Sequence, residues 1–192
     1  MEHWQDLITR FERLGHLEYA GEGVTQWQHA WQCGQLARDA YAPAPLQLAA
    51  WLHDIGHLLD GQFIDGKSDT PSLQGHDDRH EARAAVLLEP LFGAAVARPV
   101  ALHVEAKRYL VARQPEYLAR LSEDSVRSLA LQGGPMAAAE AAQWREQPHA
   151  EDALRLRSWD DQAKRPERWP ASREHALEQL YGLMAHCAGT KR

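Results

Sequence analysis

The doublet His53-Asp54, with His57 one helical turn later, stands in the segment running from Leu46 to Leu59, which is otherwise apolar nearly all round. A helix of that composition is central and buried. An ionised aspartate inside it costs several kcal/mol unless its charge is paired or bound to metal. His53 and His57 share a face at i, i+4 spacing, and Asp54 reaches His57 at i, i+3. For an isolated pair, a buried His–Asp hydrogen bond that holds the core would suffice. This chain, however, carries 11 histidines, and His29, His80 and His103 also fall in or beside segments that read as helices. Asp160 lies on another helix, three positions after Arg157. Imidazole and carboxylate without thiolate suit iron, manganese or zinc rather than calcium or magnesium. Four histidines and two aspartates exceed what one tetrahedral ion needs, so two metals sharing a bridging carboxylate are expected. His76 and His80 also have i, i+4 spacing but lack the glutamate of a zinc-protease motif, and His76 reads as a solvated loop residue. The tryptophans 27, 31 and 159 read as core rather than as a cage for a cation.

Helices must position these groups, because almost nothing in the chain alternates like a strand. The spacing predicts a first helix over about 3–15 stopping at Gly15, then a glycine-bearing loop carrying Tyr19 and Glu22. Thr25 caps a second helix running to about Tyr41, and Pro43 and Pro45 punctuate it. A third helix is expected from Leu46 to Asp60, followed by a polar loop over 61–75. Further helices are expected over about 77–91, 95–112, 115–121, 123–132, 136–145 and 149–162, with the clearest break at Gly133-Gly134-Pro135. A last helix, capped by Ser172, covers about 172–187. No repeat or long linker divides the chain, so residues 1–192 read as a single all-α domain with its metal-binding core over about 19–161.

The chain has 192 residues, is 44% hydrophobic and 25% charged, and carries a net charge of −6. That composition excludes a disordered chain and argues against gripping nucleic acid or an anionic membrane by bulk charge. No run of apolar residues is long enough for a transmembrane helix, and the first residues lack the pattern of a signal peptide. Two cysteines, Cys33 and Cys187, cannot make a disulfide framework, and neither has a close cysteine partner for a zinc clip. A cytoplasmic location is therefore expected. Nothing in the sequence indicates an oligomeric state.

The pattern His29, His53-Asp54, Asp160 resembles the HD-domain superfamily, over about residues 19–161, and His53-Asp54-Ile55-Gly56-His57 is one of its common forms. That resemblance implies a single helical bundle. His80 and His103 resemble the extra ligands of members with a dinuclear centre, and His80-Glu81-Ala82-Arg83-Ala84-Ala85 is similar to their His-Glu-x-x-Gly-Ala motif, with Ala84 in place of glycine. Tyr19-x-x-Glu22, Lys107, Ser125 and Arg157-x-x-Asp160 resemble the phosphonate-degrading HD-domain oxygenases. By that resemblance the chain would use O2 and a mixed-valent Fe(II)/Fe(III) pair to cleave the C–P bond of a 1-hydroxyalkylphosphonate, giving a carboxylate and inorganic phosphate. It further implies that His29, His53, Asp54 and Asp160 hold one iron, and that Asp54 bridges to a second held by His80 and His103. Tyr19 would cap an iron until substrate displaces it, and Glu22 would face a substrate amine. The expected substrate is 2-amino-1-hydroxyethylphosphonate or an N-substituted analogue.

The residues themselves agree with that implication. Lys107 stands one turn beyond His103, and Arg157 one turn before Asp160, so two cations flank the ligands without belonging to them. Such a pair suits a phosphonate dianion, which a guanidinium can grip bidentately. Ser125 and His57 are further candidates for contact with substrate. Two other readings stay open on the sequence: a metal-dependent HD phosphohydrolase acting on a nucleotide or other phosphate ester, in which a metal-bound hydroxide attacks phosphorus without O2, and a non-catalytic metal-stabilised domain.

Overall fold

The computed structural model describes residues 3–19, 21–59 and 71–190. Among them every regular element is helical, and the one strand-like feature is an isolated bridge between Glu18 and Thr25. The chain runs through α1 (Gln5–Leu14), α2 (Gln26–Asp39), α3 (Ala44–Leu52), α4 (His80–Phe92), α5 (Ala94–Arg113), α6 (Glu123–Leu131), α7 (Ala138–Arg145), α8 (Ala150–Gln162) and α9 (Arg173–Gly189). Short 3₁₀ turns cover Ile55–Leu58, Pro71–Gln74 and Pro115–Arg120.

Local chemistry explains most of these boundaries. The Thr25 hydroxyl accepts from the Gln28 N–H at 3.1 Å to start α2, and Ser172 accepts from the His175 N–H at 3.1 Å to start α9. Gly93, with φ 81°, turns the chain from α4 back along α5. The apolar α3 lies at the centre, against α2, α5, α8 and α9. It buries Leu48, Trp51 and Leu52 in a core shared with Leu7, Phe11, Leu88, Val96, Leu156 and Leu180. Close approach of α2 to α3 depends on Gly34, where a Cβ would lie 2.1 Å from Trp51 Nε1. A smaller cluster of Leu102, Ala106, Met136, Ala141, Trp144, Ala150 and Ala153 joins α5, α7 and α8.

Three expected boundaries are corrected. The helix expected to run unbroken to Asp60 ends at Leu52. His53 is its C-cap, Asp54 sits in a turn, and the chain tightens into the 3₁₀ turn. The cause is a steric demand beyond the reach of local propensity: a Cβ at Gly56 would lie 2.1 Å from the His80 carbonyl oxygen, so the turn presses directly on the start of α4. His57 therefore leaves the His53 face and stacks on His80, with ring centroids 4.0 Å apart. The helix expected from about 77 starts at His80, because Arg79 takes a left-handed conformation at φ 50°. Residues 115–120 wind as 3₁₀ rather than α, starting from Pro115. Of the polar loop expected over 61–75, the part before 71 lies outside the described residues. The final expected cap and helix are found, with α9 running two residues further than expected.

Candidate metal centre and anion-binding cavity

Each of three site histidines carries the proton of its ring on Nδ1, because that nitrogen faces a backbone carbonyl, which can only accept. His29 donates to Ala163 O at 2.9 Å, His53 to Ala50 O at 3.0 Å and His103 to Val100 O at 2.7 Å. The fourth, His80, donates from Nδ1 to Asp78 Oδ1 at 3.0 Å. All four thus turn the other nitrogen, Nε2, inward. Those nitrogens meet in two pairs, His29 with His53 at 3.2 Å and His80 with His103 at 3.2 Å.

Asp54 sits between the pairs and divides its oxygens. Oδ2 lies 3.2 Å from His53 Nε2 and 3.6 Å from His29 Nε2, while Oδ1 lies 3.3 Å from His80 Nε2 and 3.6 Å from His103 Nε2. Asp160 joins the first pair, with Oδ1 3.4 Å from His29 Nε2. Asp54 Oδ1 and Asp160 Oδ1 are buried without a hydrogen-bond partner. Lone pairs converging on one point, with orphaned carboxylate oxygens beside them, are unfavourable unless a cation lies between them. The donor sets fit metal: two imidazoles and two carboxylates on one side, two imidazoles and the other Asp54 oxygen on the second. His29, His53, Asp54 and Asp160 could hold one ion; donor atoms of Asp54, His57 and His80 also lie within 4.8 Å of one another.

Electrostatics follow this layout. Burial pushes the His29 pKa down to about 4, and burial also lowers His103, with His53 and His80 adding to the shift. Burial opposes ionisation of Asp54, yet the neighbouring His53 and His80 hold its carboxyl well below the usual range. Arg157 does the same for Asp160. Tyr19 donates its hydroxyl to Asp54 Oδ2 at 2.7 Å and stacks on His29 at 4.0 Å.

A cavity of about 320 Å³ opens over one side of the centre. Tyr19, Asp54, His57, His80, His103, Lys107, Ser125, Arg157 and Asp160 all line it. Lys107 donates to Ser128 Oγ at 2.7 Å. Burial, then the nearby Arg157, brings its pKa down to about 7. Arg157 is more heavily engaged. Nη1 meets Asp160 Oδ2 at 2.7 Å, Nη2 meets Asp161 and the Ser125 hydroxyl, and Nε donates to Tyr117 Oη at 3.2 Å. His57 donates from Nδ1 to Asp78 Oδ2 at 2.7 Å, leaving Nε2 for another partner. Glu22 does not line the cavity; it pairs instead with Lys164, Oε1 to Nζ 3.4 Å. His76 is exposed, as expected of a loop residue, but stands at the cavity wall. Trp27 and Trp159 are buried in the core and form no cage, and Trp31 packs on the same core.

Several polar groups here carried no signal in the sequence. Asp78 holds both His57 and His80, and only its place two residues before His80 hinted at it. Asp161 and Tyr117 hold Arg157. Gln28 and Gln32 donate to the carbonyls of Arg165 and Arg168, fixing the loop whose Ala163 carbonyl orients His29. Cys33 Sγ lies 3.7 Å from His29 Nε2, with burial holding its thiol protonated.

A helical bundle that directs histidine nitrogens and aspartate oxygens into one buried point defines a metal-using enzyme of the HD type. No family model matches the chain. Against known proteins, it is 40% identical over 158 residues to a [1-hydroxy-2-(trimethylamino)ethyl]phosphonate dioxygenase (glycine-betaine-forming) of Leisingera caerulea, covering 81% of this chain and 76% of that protein. It is 43% identical over 143 residues to a hydroxymethylphosphonate dioxygenase of Gimesia maris, covering 74% and 69%. An uncharacterised protein of Acanthamoeba polyphaga mimivirus is 34% identical over 158 residues, covering 82% and 71%. The chain belongs to the HD-domain phosphonate dioxygenase family and is an oxygenase. No helix among its described residues is long and apolar enough to cross a membrane.

Proposed function

We propose that this chain cleaves the C–P bond of a 1-hydroxyalkylphosphonate with O2, using two irons in a mixed-valent state. In balance, R–CH(OH)–PO3²⁻ and O2 give R–COO⁻, HPO4²⁻ and a proton; the carbon loses four electrons and O2 gains them. The observation that carries this reading is the division of Asp54, whose two oxygens each face a different pair of histidine nitrogens. His29, His53, Asp54 and Asp160 would hold one iron, and His80, His103 and Asp54 the other. When bound, the irons supply the redox chemistry toward O2 that no side chain here can provide.

The remaining residues act on substrate. Lys107, already inside the cavity, offers its ammonium to the phosphonate dianion, and Ser125 and the remaining donor of Arg157 complete the anion site. His57, fixed by Asp78, presents Nε2 to the substrate hydroxyl or its proton. Tyr19 covers the Asp54 oxygen with its hydroxyl, and an entering substrate must move it aside. Glu22 reads a cationic substituent on the substrate, which makes 2-amino-1-hydroxyethylphosphonate and its N-substituted analogues the favoured substrates.

The test is iron-loaded protein incubated with hydroxymethylphosphonate, 2-amino-1-hydroxyethylphosphonate, its trimethylammonium analogue and phosphate monoesters, with and without O2. Phosphate release that needs O2 and consumes it one for one is expected. Release from a phosphate ester under anaerobic conditions would overturn the reading in favour of a phosphohydrolase.

A further inference from the structure

The Lys164 ammonium lies between the cavity wall and the carboxylate behind it. Its Nζ donates to Ser125 Oγ at 3.4 Å and Ser122 Oγ at 3.1 Å on one side, and meets Glu22 Oε1 at 3.4 Å on the other. It also stands 5.6 Å from the centroid of the Tyr19 ring. Ser125 lines the cavity and neither Lys164 nor Glu22 does, so the lysine stands between Glu22 and the Ser125 edge of the cavity. Both side chains are largely withdrawn from water, with 12% of Lys164 and 14% of Glu22 exposed. The backbone beside Lys164 is held as well, because Gln32 accepts from the Arg165 N–H at 3.2 Å and donates to its carbonyl at 2.8 Å.

We propose that Lys164 is a specificity-determining residue, competing with a cationic substrate tail for the Glu22 carboxylate. The inference rests on the reading of the site as one for 1-hydroxyalkylphosphonates. A substrate ammonium that approaches Glu22 meets a like charge already seated there, and the two repel in a site shielded from water. An uncharged tail feels no such opposition. Lys164 thus sets how strongly tail charge is read, while the phosphonate end is held by other groups.

The test compares 2-amino-1-hydroxyethylphosphonate with hydroxymethylphosphonate. It measures kcat/KM in air and dissociation constants on the metal-loaded protein without O2. Lys164→Met should raise the preference for the amine about tenfold, one charge-assisted interaction freed on Glu22. Lys164→Arg should stay near wild type, and Lys164→Met combined with Glu22→Gln should lose the gain. If Lys164→Met does not fold, as judged by its helical circular dichroism, Glu22→Gln alone reads the pair from the other end. It leaves the lysine unopposed and should lower the preference for the amine. Equal losses on both substrates would make Lys164 a plain phosphonate contact and overturn the inference, as would a ratio that none of these changes moves. Wild-type protein releasing no phosphate from either substrate in air would instead overturn the proposed function.

Discussion

The two sides of the centre differ in their access to the cavity. On one side His29 and His53 are fully buried, their rings are fastened to the backbone, and neither lines the cavity. Asp160 gives that side a second carboxylate. On the other side His80 and His103 both face the cavity, and His80 is fastened to a carboxylate side chain rather than to a carbonyl. A filled donor set suits a holding role, whereas a sparser one beside open space leaves positions for reactants. The difference is built into which elements supply these residues. His29 on α2 and His53 at the end of α3 are shut away from the cavity, whereas His80 at the start of α4 and His103 midway along α5 face it, as does Asp160 on α8.

Removing the group common to both sides should have the largest effect. Asp54→Ala is expected to reduce metal content on both sides and activity to background, and any magnetic coupling between irons should vanish with them. Metal analysis and magnetic spectroscopy on one preparation would check this; coupling that survives would break the assignment of Asp54 as the bridge. Next, the histidines on the two sides should part company. His29→Ala leaves the buried Ala163 carbonyl without its donor, at about 1–3 kcal/mol, and should lower Tm as well as metal content. His80→Ala should stay close to wild-type Tm yet retain about one metal per chain, a stoichiometry that follows from the pairing of donors.

Lys107 tests the open side with substrate. Lys107→Met should cost about 1.5–3 kcal/mol, roughly 10- to 150-fold in kcat/KM. Burial with Arg157, Lys164, Asp160 and Asp124 around it places the Lys107 pKa at about 7. Its charged form predominates below that pH, so wild-type kcat/KM should fall as pH rises through about 7. The fall should be weaker in the methionine variant, which separates it from ionisation of the phosphonate itself. The smallest effect is expected from Asp78→Asn, which keeps the shape but weakens the hold on His80 and His57. Metal affinity on the open side alone should drop about 10- to 100-fold, as for other groups that orient ligands. An equal drop on both sides would remove the distinction between them.

The contrast between the sides also separates what was legible in the sequence from what was not. The residues that converge at the centre could be singled out because an aspartate in so apolar a segment demands a partner, and the family resemblance pointed to the rest. The all-α fold followed from helical spacing and the near absence of alternating segments. The break at His53 was hidden, because Leu46 to Leu59 has the composition of one continuous helix; what ends it is the His80 carbonyl, a contact made across the fold. Asp78, Asp161 and Lys164 look like ordinary charged residues in a chain that is 25% charged. Their roles appear only when folding brings them against His80, Arg157 and Glu22.

The glutamines on α2 set an order of assembly. Gln28 and Gln32 bind carbonyls of the loop after α8, and His29 takes its orientation from Ala163, 134 residues further along the chain. Contacts so far apart in sequence cannot form until nearly all of the chain between them is available. During synthesis His29, His53 and Asp54 leave the ribosome long before Asp160 and Ala163 exist to meet them. A nascent chain thus displays an incomplete set of donors for most of its translation, and metal that binds then does so without the geometry that selects it. The donors around His29 are complete only once residues 160–163 have been made and packed against α2.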